Sequence, residues 1–282
     1  MKTIHFLIVI SVIALTFSAC KKTDEDKAGR EAAEQTIQDD GNAESMFDNI
    51  FKIVGDEVQN AESSGSKSTY NRDTETGCPQ IDVTISNGIV TSLIIDYGDT
   101  YCTPTNSTDQ FKGRIVVTSN GRFRESGTVI TTSLEDFYIN DYHIEGSKVL
   151  TNLGRDNDSL LNYHFEVIGA RITAPSGEYT SWESDQNRRW LVGESSILWP
   201  FDDIWEISGE NTGVDAEGNA YSIATNEPLW VKVGCRFIQQ GTLTVQTQGF
   251  TVNVDYGTYE PNVCDRNVTY TVNDNNYTVT VN

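Results

Sequence analysis

Two similar stretches, YHIE at 142–145 and YHFE at 163–166, hold the residue types of a metal site. Imidazole and carboxylate groups are ligands for zinc and other transition metals. The four candidate ligands are His143, Glu145, His164 and Glu166. Their alternating positions are also typical of β-strands that have one solvated face and one buried face.

Strand register decides between these two interpretations. A turn near Asn157 would set His143 opposite Ala170 in an antiparallel pair, and it would set His164 opposite Val149. The two imidazoles would then lie about six residues, or roughly 20 Å, apart along the ladder. Because metal ligands must converge within a few ångströms, we predict solvated strand faces here and no metal site.

Two tryptophans form a second candidate site. Trp182 and Trp190 flank the polar residues 185–187, and a three-residue turn there would place the two indoles directly opposite each other. Such a pair packs into a core or stiffens a hairpin. If it is exposed, it offers a stacking surface for sugar rings.

Other catalytic patterns are missing from the sequence. It contains no Gly-x-Ser-x-Gly elbow, no His-Glu-x-x-His and no metal-type cysteine pair. We therefore assign no catalytic residue and expect no cofactor. The triplet DSL at 158–160, in a predicted turn, resembles a short O-glycosylation site and makes Ser159 a candidate acceptor.

The N-terminus predicts export and lipid attachment. Residues 1–19 combine an early lysine, a short apolar run and small residues before Cys20, which is typical of a secretory signal peptide. The run is shorter than a membrane-spanning helix requires. The stretch Phe17-Ser18-Ala19-Cys20 resembles a bacterial lipobox, so we predict that Cys20 carries the lipid, acyl chains such as palmitate included.

The residues that follow the anchor suggest where the protein faces. The stretch KKTDEDKAG resembles the lysine-then-acidic signal that sends lipoproteins to the exterior of the outer membrane. An acidic tether that faces the periplasm is the alternative. The formal net charge of −21 excludes nucleic acid as a partner, because the phosphate backbone would be repelled.

Composition divides the exported chain into four parts. Residues 20–42 are polar and acidic, which predicts a tether. Residues 43–62 show apolar residues at helical spacing, which predicts a short amphipathic helix that caps one end of the main domain. Residues 63–77 are predicted to be a linker, and residues 78–282 a β-domain.

The β-domain is predicted from short runs rich in Thr, Val, Ile and Tyr that turn residues separate. No crossover helix is visible between these runs, so an antiparallel meander of about a dozen strands follows. A flat single sheet would leave both faces wet. We therefore expect an all-β fold built as a two-layer sandwich or a partly closed barrel.

Four cysteines remain after Cys20, and export favours disulfides between them. Cys78 and Cys102 flank a predicted turn at Gly88, and Cys235 and Cys264 flank another turn. Each pair would meet at the open end of its own hairpin. We therefore predict two disulfides, which join Cys78 to Cys102 and Cys235 to Cys264.

The two disulfide hairpins also share a sequence pattern, because Asp-Tyr-Gly precedes the second cysteine of each, at 96–98 and 255–257. We interpret them as a duplicated unit near the two ends of the β-domain. Together with the stretches GRFRESGTVITTSLEDFYINDYHIEGSKVLTN, WESDQNRRWLVG and LWVKVGCRFIQQGTLTV, these units resemble a family of uncharacterised lipoproteins and secreted proteins of the Bacteroidota. The resemblance implies an exported location and brings no catalytic residue or ligand.

These features favour a non-enzymatic, lipid-anchored protein of the outer membrane that binds a ligand or supports the envelope. A glycan or another envelope component is the partner class that this location suggests. The alternative is an enzyme or a carbohydrate-binding module that acts on a polysaccharide. Exposed tryptophans or paired carboxylates in a groove would favour that alternative.

Overall fold

A computed structural model describes residues 16–64, 68–71, 77–104, 107–195, 203–232, 235, 238–261 and 263–280. Helix α1 (Thr16–Ser64) comes first and the β-strands follow it. The strands are β1 (Ser68–Asn71), β2 (Gln80–Ser86), β3 (Ile89–Cys102), β4 (Phe111–Ser119), β5 (Val129–Ile139), β6 (Tyr142–Arg155), β7 (Leu161–Thr173), β8 (Tyr179–Val192), β9 (Ile204–Val214), β10 (Ala220–Lys232), β11 (Gln240–Thr247), β12 (Phe250–Asp255), β13 (Asn267–Val272) and β14 (Asn275–Thr280).

The described strands form one antiparallel sheet in which each strand pairs with the next along the chain. Strands β1 and β14 lie at its two edges, so the sheet is open. The predicted all-β meander with a preceding helix is confirmed. Tight turns produce this order. At 87–88 and 248–249 both central residues have positive φ, which matches the right-handed twist of the flanking strands.

The layer that covers the apolar face of the sheet is α1 rather than a second sheet. The helix contacts β3, β8, β11, β12 and β13. The contacts move across the sheet along the helix, because Thr36 meets Thr247 on β11 and Asp48, twelve residues later, meets Lys148 on β6. A helix rises about 1.5 Å per residue and neighbouring strands lie about 4.8 Å apart, so these contacts require α1 to cross the strands. The fold is therefore a single sheet with one long helix lying across its apolar face.

Helix α1 is much longer than the sequence predicts, and the expected tether at 20–42 belongs to it. Ala32, Ala33 and Thr36 in this segment are buried, because their small side chains allow α1 to approach the sheet closely. The amphipathic segment at 43–62 is helical as predicted, with Phe47 and Ile50 in the core. It packs on the apolar face of the sheet, where Phe47 meets Trp182 of β8, and does not cap one end. The predicted linker at 63–77 includes the short strand β1.

A buried carboxylate fixes the N-terminal part of α1 to the last hairpin of the sheet. Asp26 is 1% exposed. Its Oδ1 accepts a hydrogen bond from Asn273 at 2.7 Å, and its Oδ2 accepts from Asn275 at 2.5 Å and from the Tyr277 hydroxyl at 3.1 Å. These contacts satisfy the buried charge, which would otherwise oppose folding.

Both predicted disulfides are confirmed. Cys78 is bonded to Cys102 with their Cα atoms 6.5 Å apart, and Cys235 is bonded to Cys264 with Cα atoms 5.5 Å apart. The first closes the β2–β3 hairpin, and the second lies at the open end of the β11–β12 hairpin.

Removing the first disulfide should destabilise the protein measurably. The bond closes a loop with a sequence separation of 24 residues. In the chain-entropy model, loss of this constraint lowers the free energy of unfolding by about 3.5 kcal/mol. Denaturant unfolding of the Cys78→Ala/Cys102→Ala variant, compared with the wild type under oxidising conditions, measures the difference. An unchanged unfolding midpoint would contradict the expectation.

Candidate functional site

A cavity of about 590 Å³ lies between α1 and the apolar face of the sheet. Its sheet wall is largely apolar, and its helix wall is largely charged. The apolar part of the lining includes Phe165, Trp205, Ile207, Ile223, Leu229 and Leu243.

The sheet wall follows from strand periodicity and register. On β9, Trp205 and Ile207 are two residues apart and so point to the same face. Ile207 pairs with Leu229 on β10 and with Arg188 on β8. The ring of Phe165 on β7 meets Phe51 of α1 edge-on, with the ring centroids 5.7 Å apart. Aromatic and aliphatic side chains from neighbouring strands are thus combined into one surface.

The helix wall arises from a four-residue repeat. Asp40, Glu44, Asp48 and Lys52 line the cavity, and this spacing places successive residues along one stripe of a helix. Three acids in a row on one stripe repel one another unless cations or other donors face them.

Cations from the sheet balance two of these acids. The Arg188 guanidinium contacts Glu44 at 2.7 Å and Asp48 at 3.2 Å. The Lys148 ammonium, which is 5% exposed, contacts Asp48 at 2.6 Å. Burial alone would raise the pKa of Asp48, but the charges of Arg188 and Lys148 outweigh it and lower that pKa to about 2. This network holds α1 against β6 and β8.

Asp40 has a different environment. Its Oδ1 accepts a hydrogen bond from the Trp182 indole at 2.7 Å, and its Oδ2 accepts from the Asn211 amide at 2.8 Å. In the part of the chain that the structure describes, no lysine, arginine or histidine forms an ion pair with Asp40. Burial, followed by the nearby charge of Glu44, raises the pKa of Asp40 to about 7. Asp40 is thus a buried acid that only neutral groups contact directly.

The structure contradicts the predicted tryptophan pair. Residues 179–192 form the single strand β8, so no turn exists at 185–187. Trp182 pairs with Ala170 and Gly213, while Trp190 stacks on Trp205 with the centroids 4.7 Å apart. Both predicted stacking residues are buried, at 2% and 7% exposure, and offer no platform to a sugar.

The polar residues at 185–187 explain the wrong prediction. They resemble a turn in composition, yet Gln186 points inward like Trp182 and Trp190 and donates a hydrogen bond to Asn211 at 3.1 Å. A polar network inside the fold therefore lets turn-like residues continue a strand.

The two histidines do not share a site, but their predicted register is shifted. His143 pairs with Thr173 instead of Ala170, and His164 pairs with Thr151 instead of Val149. The position of the turn causes the shift, because Arg155 pairs with Leu161 and the hairpin is therefore centred on Asp158. Two irregularities in the ladder, at 145–147 and 152–154, each change the register by one residue and offset each other.

Two of the candidate ligands, His164 and Glu166, lie beside Asp185, which the sequence did not indicate. Potential ligand atoms of His164, Glu166 and Asp185 lie within 4.8 Å of one another on β7 and β8. Glu145 instead lies beside His143, 3.8 Å away. The group around His164 is on the solvent side of the sheet, and we assign no ion to it.

The candidate acceptor Ser159 lies in an exposed turn between β6 and β7. Its backbone amide donates to the carbonyl of Asp156 at 3.0 Å, and its φ is 65°. Glycosylation at this serine stays a prediction.

The repeated Asp-Tyr-Gly pattern has the same local geometry in both copies. Oδ1 of Asp96 accepts a hydrogen bond from the backbone amide of Gly98 at 2.8 Å, and Oδ1 of Asp255 accepts from Gly257 at 2.7 Å. Both glycines have positive φ, at 84° and 78°. The intervening tyrosines are buried, and the second, Tyr256, lines the cavity.

No protein-family model, curated protein or solved structure matches this chain. Within the described part of the chain, α1 included, no helix combines the length and the apolar character that a membrane crossing requires. The fold and the site together define an open antiparallel meander, covered on its apolar face by one helix, with an internal cavity.

Proposed function

We propose that this protein is a non-enzymatic binding protein that holds a mainly apolar small molecule between α1 and the sheet. The cavity of about 590 Å³ carries the proposal. Sites for small molecules typically have volumes of about 300–1,000 Å³, mostly apolar walls and a few polar groups. Perturbed acids such as Asp40 also concentrate at functional sites.

A lipid anchor on Cys20 and a position on the outer membrane, facing the exterior, form the second part of the proposal. The signal peptide at 1–19 and the lysine-acidic stretch after Cys20 support it. Cys20 lies on α1, the same helix that lines the cavity. A protein held at a membrane in this way would have its binding site close to a source of apolar ligands.

The polysaccharide alternative loses its main support. It rested on exposed tryptophans, but Trp182 and Trp190 are buried. Two cavity acids, Glu44 and Asp48, are neutralised by ion pairs with Arg188 and Lys148. We therefore propose binding of an apolar molecule rather than hydrolysis of a glycan.

Filling the cavity should weaken ligand binding strongly. In the Ile207→Trp variant, a larger side chain would occupy the space beside Arg188 and Leu229. We expect the affinity for the neutral fluorophore N-phenyl-1-naphthylamine to fall at least tenfold, because contacts and volume are lost together. Fluorescence titration measures the change.

Ile168→Trp is the matched control, because Ile168 is 52% exposed on the solvent side of β7. Its affinity should equal that of the wild type. Near-UV circular dichroism checks that both variants are folded. Equal binding by both variants, or no binding by the wild type, would contradict the proposal.

A further inference from the structure

We propose that the cavity selects apolar molecules that carry a protonated amine, and that the carboxylate of Asp40 receives the ammonium group. This inference rests on the binding function proposed above and names the class of ligand. It follows from the charges of the lining, from the partners that they already have, and from the position of Asp40.

The lining has an excess of acids. Among the described residues that line the cavity, five carry carboxylates and two carry cations. The cations are Lys52 and Arg188, and the acids are Asp40, Glu44, Asp48, Asp203 and Glu210. A cationic head group would therefore enter a favourable field, whereas an anionic one would be repelled.

Neither cation offers a strong site for an anion. Arg188 already forms ion pairs with Glu44 and Asp48, so an acidic ligand would have to displace a partner. Lys52 is exposed on α1, where water solvates its ammonium group. A buried pair with Arg188 or an exposed one with Lys52 would add little affinity.

Asp40 is the acid best placed to receive a cation. It lines the cavity and is 6% exposed, so its charge is poorly solvated. Trp182 and Asn211 each donate one hydrogen bond and the Tyr221 hydroxyl also interacts with the carboxylate, which has about four acceptor positions when ionised. A remaining position can accept from an ammonium group, and these neutral donors hold the carboxylate in place. The apolar walls nearby would receive the rest of the molecule.

Three ligands with the same chain and different head groups test the inference. In the test, decylamine, decanol and decanoate compete with N-phenyl-1-naphthylamine for binding to the full chain at pH 8. The chain carries Cys20→Ala, so that no lipid is attached and no detergent is needed. A charge-assisted hydrogen bond is stronger than a neutral one. We therefore expect decylamine to bind about tenfold or more tightly than decanol, and decanoate to bind more weakly than either.

The outcomes separate this inference from the proposed function. Equal affinities for decylamine and decanol, or tightest binding of decanoate, would overturn the amine selectivity and leave the binding function standing. If none of the three ligands binds and the fluorophore itself does not bind, both the amine selectivity and the proposed binding function are overturned.

A variant assigns the selectivity to Asp40. In D40N, the ratio of decylamine affinity to decanol affinity should fall about tenfold, because the ammonium loses its charged partner. D56N is the matched control, since Asp56 is an exposed acid on the same helix. Its ratio should equal that of the wild type. An unchanged ratio in D40N would show that another acid receives the amine and would contradict the role of Asp40.

Discussion

Replacing Cys20 with Ala is expected to move the protein from the membrane fraction almost entirely into the soluble fraction. Stable attachment to a bilayer takes more than one acyl chain, and the lipid that we predict on Cys20 supplies it. Without the thiol no lipid can be attached there. Fractionation of cells, with metabolic labelling by an alkyne fatty acid, measures both the location and the modification.

Cys78→Ala is the control for this experiment, because it removes a cysteine that is disulfide-bonded and distant in sequence from the signal peptide. It should keep both the label and the membrane location. A Cys20→Ala protein that stays labelled and membrane-bound would refute lipidation at this residue.

Replacing Arg188 with Met is expected to lower the free energy of unfolding by about 3–5 kcal/mol. The change keeps much of the apolar stem but leaves Glu44 without its ion-pair partner and Asp48 with Lys148 alone. Loss of one partner from a buried charge network costs far more than loss of a surface pair. Urea unfolding followed by tryptophan fluorescence measures the change.

Arg171→Met provides the comparison. Arg171 is exposed on β7, and its guanidinium lies 3.7 Å from the centre of the Tyr179 ring. The Arg171→Met substitution should lower the free energy of unfolding by less than about 1 kcal/mol. Adding Glu44→Gln to Arg188→Met should recover part of the lost stability, because it removes one uncompensated acid. If Arg188→Met costs no more than Arg171→Met, the buried network does not stabilise the attachment of α1.

Features with local signals could be predicted from the sequence. The pairing of Cys78 with Cys102 depends on a tight turn at 87–88 within the same hairpin, so spacing alone indicates it. The same holds for the antiparallel meander, because each strand pairs with its neighbour in sequence. Period-two patterns and turn residues are sufficient for such a topology.

Features that depend on distant partners could not be predicted. Asp26 and Asp40 made the segment at 20–42 look like a solvated tether. Their hydrogen-bond donors lie far along the chain, Asn273 for Asp26 and Asn211 for Asp40. Composition cannot distinguish a solvated acid from one that the sheet will bury. The four-residue spacing of Asp40, Glu44 and Asp48 is a signal that the helix predicted at 43–62 continues into this segment.

The cavity itself has no sequence signature. Its walls come from α1 and from strands between β7 and β11, and their distance depends on how α1 packs across the sheet. The buried tryptophans were misassigned for a related reason, because polar side chains at 185–187 face a polar network that only the fold creates. Local patterns indicate where the strands are, but only the assembled sheet determines which side chains are buried and where a cavity remains.

Methyl NMR of isoleucine-labelled protein tests most directly whether the cavity is the binding site. Ile37, Ile207, Ile223 and Ile238 line it, whereas Ile168 lies on the solvent side of the sheet. We predict that saturating N-phenyl-1-naphthylamine shifts the methyl signals of the four lining residues and leaves that of Ile168 unchanged. Unchanged signals from the lining residues, or a dominant shift at Ile168, would contradict binding between α1 and the sheet.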